Sequence, residues 1–126
     1  MPKHVPALPA DEASALPFSK VVEANGFVFL AGQVGDAPGR DGAVPGGIEA
    51  ETRQMLDNVG RLLRAVGLSY GDVVKATVYL RDFDEFGQMN AVYREYFPSE
   101  PPTRATVGVT ALARDFRVEI EVMAAR

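Results

Sequence analysis

The spacing of apolar residues switches along the chain between a period of two and a period near 3.6, and the switches mark out seven elements. Residues 21–32, "VVEANGFVFLAG", set two β-rich runs around Asn25-Gly26, the preferred pair for a two-residue type I′ hairpin whose central residues both need positive φ. In the second run, residues 27–32, Val28 and Leu30 point one way and Phe27, Phe29 and Ala31 the other, so both sides call for cover. Helical spacing follows over residues 48–66, through Ile48, Met55, Leu56, Val59, Leu62, Leu63 and Val66, with Glu49 and Glu51 near the positive end and Gly67 as a C′ stop. A strand comes next, in which Val74, Ala76, Val78 and Leu80 alternate with Lys75, Thr77, Tyr79 and Arg81. Asp82 or Asp84 can cap a second helix, Glu85 is placed for a capping box on Asp82, and Phe86, Met89, Tyr93, Tyr96 and Phe97 form its apolar stripe up to Pro98. Two last strands, 104–110 and 116–124, direct Ala105, Val107, Val109, Phe116, Val118, Ile120 and Val122 inward, and Arg104, Thr106, Arg117, Glu119 and Glu121 outward.

The order β-β-α-β-α-β-β predicts an α+β domain, one mixed sheet with both helices packed on a single face. Two helices leave the other face bare. That face carries Phe27, Phe29, Ala31 and Tyr79 beside charged residues, and large apolar patches are rarely left to water, so a second subunit is expected to cover it.

Composition narrows the function classes. With 126 residues and 47% hydrophobic content, the chain fits one domain over 1–126, with 1–17 as an N-terminal arm and 35–47 as a surface loop. The absence of cysteine excludes a disulfide framework, a thiolate nucleophile and a cysteine zinc site, and fits a reducing, cytoplasmic setting. The proline-broken early segment has neither a signal-peptide core nor a spanning stretch of about 20 apolar residues, so membrane insertion is not expected. A net charge of -4 without a basic cluster argues against nucleic acid as a partner. His4 is the only histidine, so a serine–histidine triad and multi-histidine metal sites lack their parts, and no metal or cofactor is expected.

If the last two strands form a hairpin, Thr106 stands opposite Glu119 and Arg104 opposite Glu121. Arg104 and Glu119 then share a face within one or two pairings. A guanidinium on a rigid strand suits a small carboxylate, because its planar fork matches the two oxygens, and a nearby Glu can act as general base toward water. The same spacing equally describes a cross-strand ion pair worth about 0.2 to 1 kcal/mol. Asn90, close to the apolar stripe of the second helix, is a polar amide that needs a partner, whether structural or functional. Asp82, Asp84 and Glu85 are accounted for by a helix start, and "GGIEAE" and "PGRDG" by turn chemistry.

The stretches "LAGQVG", "LDNVGRLLRAVGLSYGDVVKATVYLRDFDEFGQMNAVYREYF", "PPTRATVGV" and "RVEIEVMA", in this order and spacing, resemble the RidA (YjgF) family, also labelled L-PSP endoribonuclease-like, from about Phe18 to the C-terminus. The resemblance implies a chorismate-mutase-like fold, a homotrimer with clefts between subunits, and hydrolysis of 2-imino acids such as 2-aminoacrylate and 2-iminobutanoate to 2-keto acids and ammonia. It implies that Arg104 grips the substrate carboxylate, that Glu119 positions the attacking water, and that Gly32, Asn90 and Thr106 line the pocket. Phe18, Ala31 and Thr106 stand where tyrosine, serine and cysteine are common in the family, so polar groups for the imine nitrogen are fewer here. A trimer that binds small carboxylates such as 2-keto acids without turnover is the alternative, and RNA cleavage rests on the family label alone.

Overall fold

The computed structural model describes residues 2–126. Its strands are β1 (Val21–Ala24), β2 (Phe27–Val34), β3 (Val73–Leu80), β4 (Thr103–Gly108) and β5 (Val118–Ala125), and its helices are α1 (Gly47–Ala65) and α2 (Phe86–Tyr96). Asn25 and Gly26 both take positive φ, 52° and 82°, and join β1 to β2 as the sequence predicts. The sheet order is β1-β2-β5-β3-β4. β5 runs antiparallel to both β2 and β3, while β3 and β4 are parallel, so α1 and α2 each serve as the crossover of a βαβ unit.

Both helices lie on one face and close a core in which Val28, Met55, Leu56, Val59, Leu62, Leu63, Val78, Met89, Val118 and Ile120 are fully buried. α1 ends in a Schellman motif: Gly67, at φ 80°, donates to the Arg64 carbonyl, and Leu68 donates to that of Leu63. At the other end of α1, Glu51 is 2% exposed, and its Oε2 accepts from the backbone N–H groups of Arg117 (2.6 Å) and Val118 (3.2 Å). The loop after β2 is held by Asn58, whose Nδ2 donates to the Val34 and Asp36 carbonyls at 2.8 and 2.9 Å.

The structure departs from the sequence reading in four places. β4 and β5 do not form a hairpin: β4 goes to the sheet edge beside β3, and β5 inserts between β2 and β3. β5 buries Val118, Ile120, Val122 and Ala124 against the helices, and so regular an apolar row earns the centre of the sheet. The faces of β4 are inverted. Arg104 pairs with Ala76 and Thr106 with Val78, both core-facing, so Arg104 and Thr106 point to the helix side, while Ala105 and Val107 are exposed on the other. At an edge strand under α2, an arginine can lay its stem on aromatic rings and keep its head at the margin, which makes this phase as good as the reverse. In β3 a bulge between Val73 and Lys75 buries Val73 and turns Val74 out, 39% exposed. Finally, Asp82 caps a short 3-10 turn, Phe83–Glu85, by accepting from the Asp84 N–H. Glu85 builds no capping box and instead holds Arg117 at 2.8 Å.

The sheet face away from the helices is bare, with Phe27 and Phe29 each 42% exposed and Val107 41% exposed. Among the described residues no helix is long and apolar enough to cross a membrane.

Candidate functional site

The residues singled out by sequence fall into two groups on opposite faces of the sheet. On the helix side, Arg104 extends from β4 across α2, its guanidinium carbon 4.6 Å from the centroid of the Tyr93 ring and 5.6 Å from that of Phe86. Such a position fixes the cation by its attraction to the ring faces and by stacking. Among the described residues it forms no ion pair, although five other arginines, Arg53, Arg61, Arg114, Arg117 and Arg126, do. A cavity of about 220 Å³ opens beside it, with Asn90, Tyr93 and Arg94 on one wall and Pro101 and Pro102 on another. Burial pushes the Tyr93 hydroxyl pKa up, partly offset by the Arg104 charge. The Tyr93 hydroxyl and the Thr106 Oγ1 are buried without a hydrogen-bond partner among the described residues. Polar atoms in this condition are uncommon and invite a ligand or a neighbouring chain.

On the bare face, Glu119 stands on β5 beside Gly32. β2 gains one residue between Leu30, paired with Val122, and Gln33, paired with Ile120, and this bulge places Gly32 against the Glu119 carboxylate. A Cβ at Gly32 would overlap Glu119 Oε2, so only glycine leaves room for the carboxylate there. Burial, then the charge of Glu121, raises the Glu119 pKa above the ordinary carboxylate value. Tyr79, paired with Glu119 across β3, donates its hydroxyl to Glu121 Oε1 at 2.5 Å.

The structure therefore joins Arg104 with Asn90, on the strand face that also carries Thr106, and joins Glu119 with Gly32 and the adjacent Ala31. It does not bring the two groups together within one chain, which corrects the shared face expected for Arg104 and Glu119. Tyr79 belongs to β3 and pairs with Val107 on β4 and with Glu119 on β5. Phe18 lies apart from both groups, 52% exposed on the segment before β1, where it lines a groove with the N-terminal arm. Sequence reasoning placed Tyr93 and Phe86 only in the core and passed over Arg94. The signal available for Arg94 was its spacing of four from Asn90, which puts both on one helix face.

Comparison with known proteins agrees with this architecture. The family model described as Endoribonuclease L-PSP matches residues 9–126. A RutC family protein of Pyrococcus horikoshii is 44% identical over 108 residues, 86% of each chain. The 2-iminobutanoate/2-iminopropanoate deaminase of Mus musculus is 43% identical over 108 residues, 86% of this chain and 80% of its own. The crystal structure of E. coli TdcF with bound serine superposes with a TM-score of 0.84 at 33% identity, covering 94% of this chain and 97% of that one. With a match of this extent and a fold of two helices on a mixed five-stranded sheet, the chain belongs to the Endoribonuclease L-PSP, or RidA/YjgF, family.

Proposed function

We propose that this protein hydrolyses small 2-imino acids, of the 2-aminoacrylate and 2-iminobutanoate type, to 2-keto acids and ammonia, at sites formed between copies of the chain in a homotrimer. The observation that carries this reading is Arg104, held over two aromatic rings and, among the described residues, without a carboxylate partner of its own. Its fork takes the substrate carboxylate through two charge-assisted hydrogen bonds. Glu119 of a neighbouring copy supplies the base, because the bare face that carries it is the surface a second copy would cover. The relatives named as 2-iminobutanoate/2-iminopropanoate deaminases favour this chemistry over simple binding.

In the reaction, water adds to C2 of the imine. Glu119 accepts a proton from the water as the C–O bond forms, and the imine nitrogen takes up a proton. The resulting carbinolamine then loses ammonia: the C–N bond breaks, the remaining hydroxyl gives up its proton, and the carbonyl forms. An imine is already electrophilic, so orientation and one positioned base suffice. Glu119 is basic only when ionised, and its raised pKa brings it closer to neutrality, where a general base is most effective.

The test couples a threonine dehydratase to semicarbazide, which traps free imine in competition with hydrolysis. The protein is expected to speed keto-acid release and reduce semicarbazone, and Arg104→Ala is expected to lose the effect. No acceleration, together with retained binding of 2-oxobutanoate, would instead establish the non-catalytic carboxylate binder.

A further inference from the structure

The cavity beside Arg104 holds a second arginine that the reading above leaves without a task. Arg94 lies one turn beyond Asn90 on α2, exposed, and lines the same 220 Å³ space as Arg104, Asn90 and Tyr93. Among the described residues no acidic one lines that space. The nearest acid in sequence, Glu95, is held elsewhere by a two-pronged pair with Arg53 on α1, at 3.0 and 3.3 Å. Arg94, like Arg104, forms no ion pair among the described residues. In a chain of net charge -4, two uncompensated arginines on one small cavity run against the overall balance and create a locally positive site. The last turn of a helix favours a cation, but the dipole acts from any exposed position there and does not account for the place of Arg94 on a cavity wall.

A carboxylate on Arg104 uses one end of such a cavity. With Asn90 and Arg94 on the α2 wall, the other end offers a cation and an amide to whatever the substrate carries beyond C2. A methyl or ethyl group would leave both without a partner, whereas a second carboxylate would take the Arg94 fork and accept from the Asn90 amide.

Resting on the proposed imine chemistry, we propose that Arg94 is a specificity-determining residue and that the preferred substrates are 2-imino dicarboxylic acids, bound with the 1-carboxylate on Arg104 and the side-chain carboxylate on Arg94. The product is then a 2-oxo diacid. Reactions that release such imines are two-electron oxidations of 2-amino dicarboxylic acids, with the electrons passing to the oxidase's own flavin and oxygen.

The two imine classes are generated in the assay itself: D-aspartate oxidase acting on D-aspartate gives the dicarboxylic imine, and D-amino-acid oxidase acting on D-alanine gives the monocarboxylic one, with catalase and semicarbazide present. The wild-type protein is expected to show the higher kcat/KM on the dicarboxylic imine. Arg94→Gln is expected to lower the ratio of the two kcat/KM values by about tenfold to a hundredfold, the scale of a charged hydrogen bond lost. Arg94→Lys, which keeps the charge but not the fork, should restore part of that ratio. A wild-type preference for the monocarboxylic imine, or a ratio unchanged in Arg94→Gln, overturns the proposal. Should the wild type hydrolyse neither imine, the deaminase reading fails on its own. Calorimetric affinities for 2-oxoglutarate and 2-oxobutanoate then decide the role of Arg94: an affinity ratio that falls in Arg94→Gln upholds it, and an unchanged ratio overturns it.

Discussion

Arg104 is held by ring faces and Glu119 by the room that a glycine leaves, and each arrangement has a separable consequence. Arg104→Ala removes the proposed carboxylate clamp and should lower kcat/KM by about tenfold to a hundredfold or more, while Arg104→Lys keeps the charge, loses the fork and should fall between. Glu119→Gln removes the proposed base and should cost about 10² to 10⁴ in kcat, with KM little changed. Because burial and Glu121 raise the Glu119 pKa, the active carboxylate is lost as pH falls through a value above the ordinary one, so the acid limb of kcat should lie higher than for a free glutamate. Glu121→Gln removes one of the two causes and should move that limb to lower pH, which a pH–rate profile would show. Gly32→Ala presses a methyl group on the Glu119 carboxylate, a flexible end that can swing away, so activity should fall further than stability. At this scale the sequence was legible where a residue has few alternative uses, as with the Asn25-Gly26 turn. It was not legible for Tyr93, because an aromatic at core spacing reads the same whether or not an arginine lies on its face.

Elements found their places according to how strictly their two faces differ. β5 alternates without exception from Val118 to Ala124 and takes the centre of the sheet, with Glu119 and Glu121 carried on its opposite face. β4 is less decided: Ala105 and Val107 could go in or out, and α2 supplies rings that accept Arg104, so the apolar residues face outward instead. This is why the helices and strands could be read from periodicity while the pairing of the last two strands could not, since local pattern does not say whether consecutive strands are neighbours. Glu51 ties the start of α1 to the entry of β5 through two backbone N–H groups. Glu51→Ala leaves those donors without a partner and should cost about 1 to 3 kcal/mol each at most, whereas Glu51→Gln keeps an acceptor oxygen and should cost much less. Urea denaturation of the two variants measures the difference. Burial raises the Glu51 pKa, so the native state holds this proton more tightly than the unfolded chain. The penalty for its charge is therefore relieved as pH falls through the raised value, and Glu51→Gln should flatten that part of the stability profile.

At the scale of the whole molecule, the sheet separates the two halves of the proposed site, with Arg104 on the helix side and Glu119 on the bare face. The bare face was foreseeable from Phe27, Phe29 and Tyr79, because two helices cannot cover two sides. Its role was harder to read, since the face of Arg104 depends on pairing between distant segments. If sites form between copies, Arg104 must come from one chain and Glu119 from another, and no single chain needs both. Arg104→Ala and Glu119→Gln proteins, each impaired alone, would then complement each other when co-expressed or refolded together. In a trimer with random mixing at equal amounts, about one site in four would hold an intact Arg104 and an intact Glu119. The account predicts that imine hydrolysis by the mixture recovers to about a quarter of the wild-type rate; a mixture no more active than its separate components would contradict it.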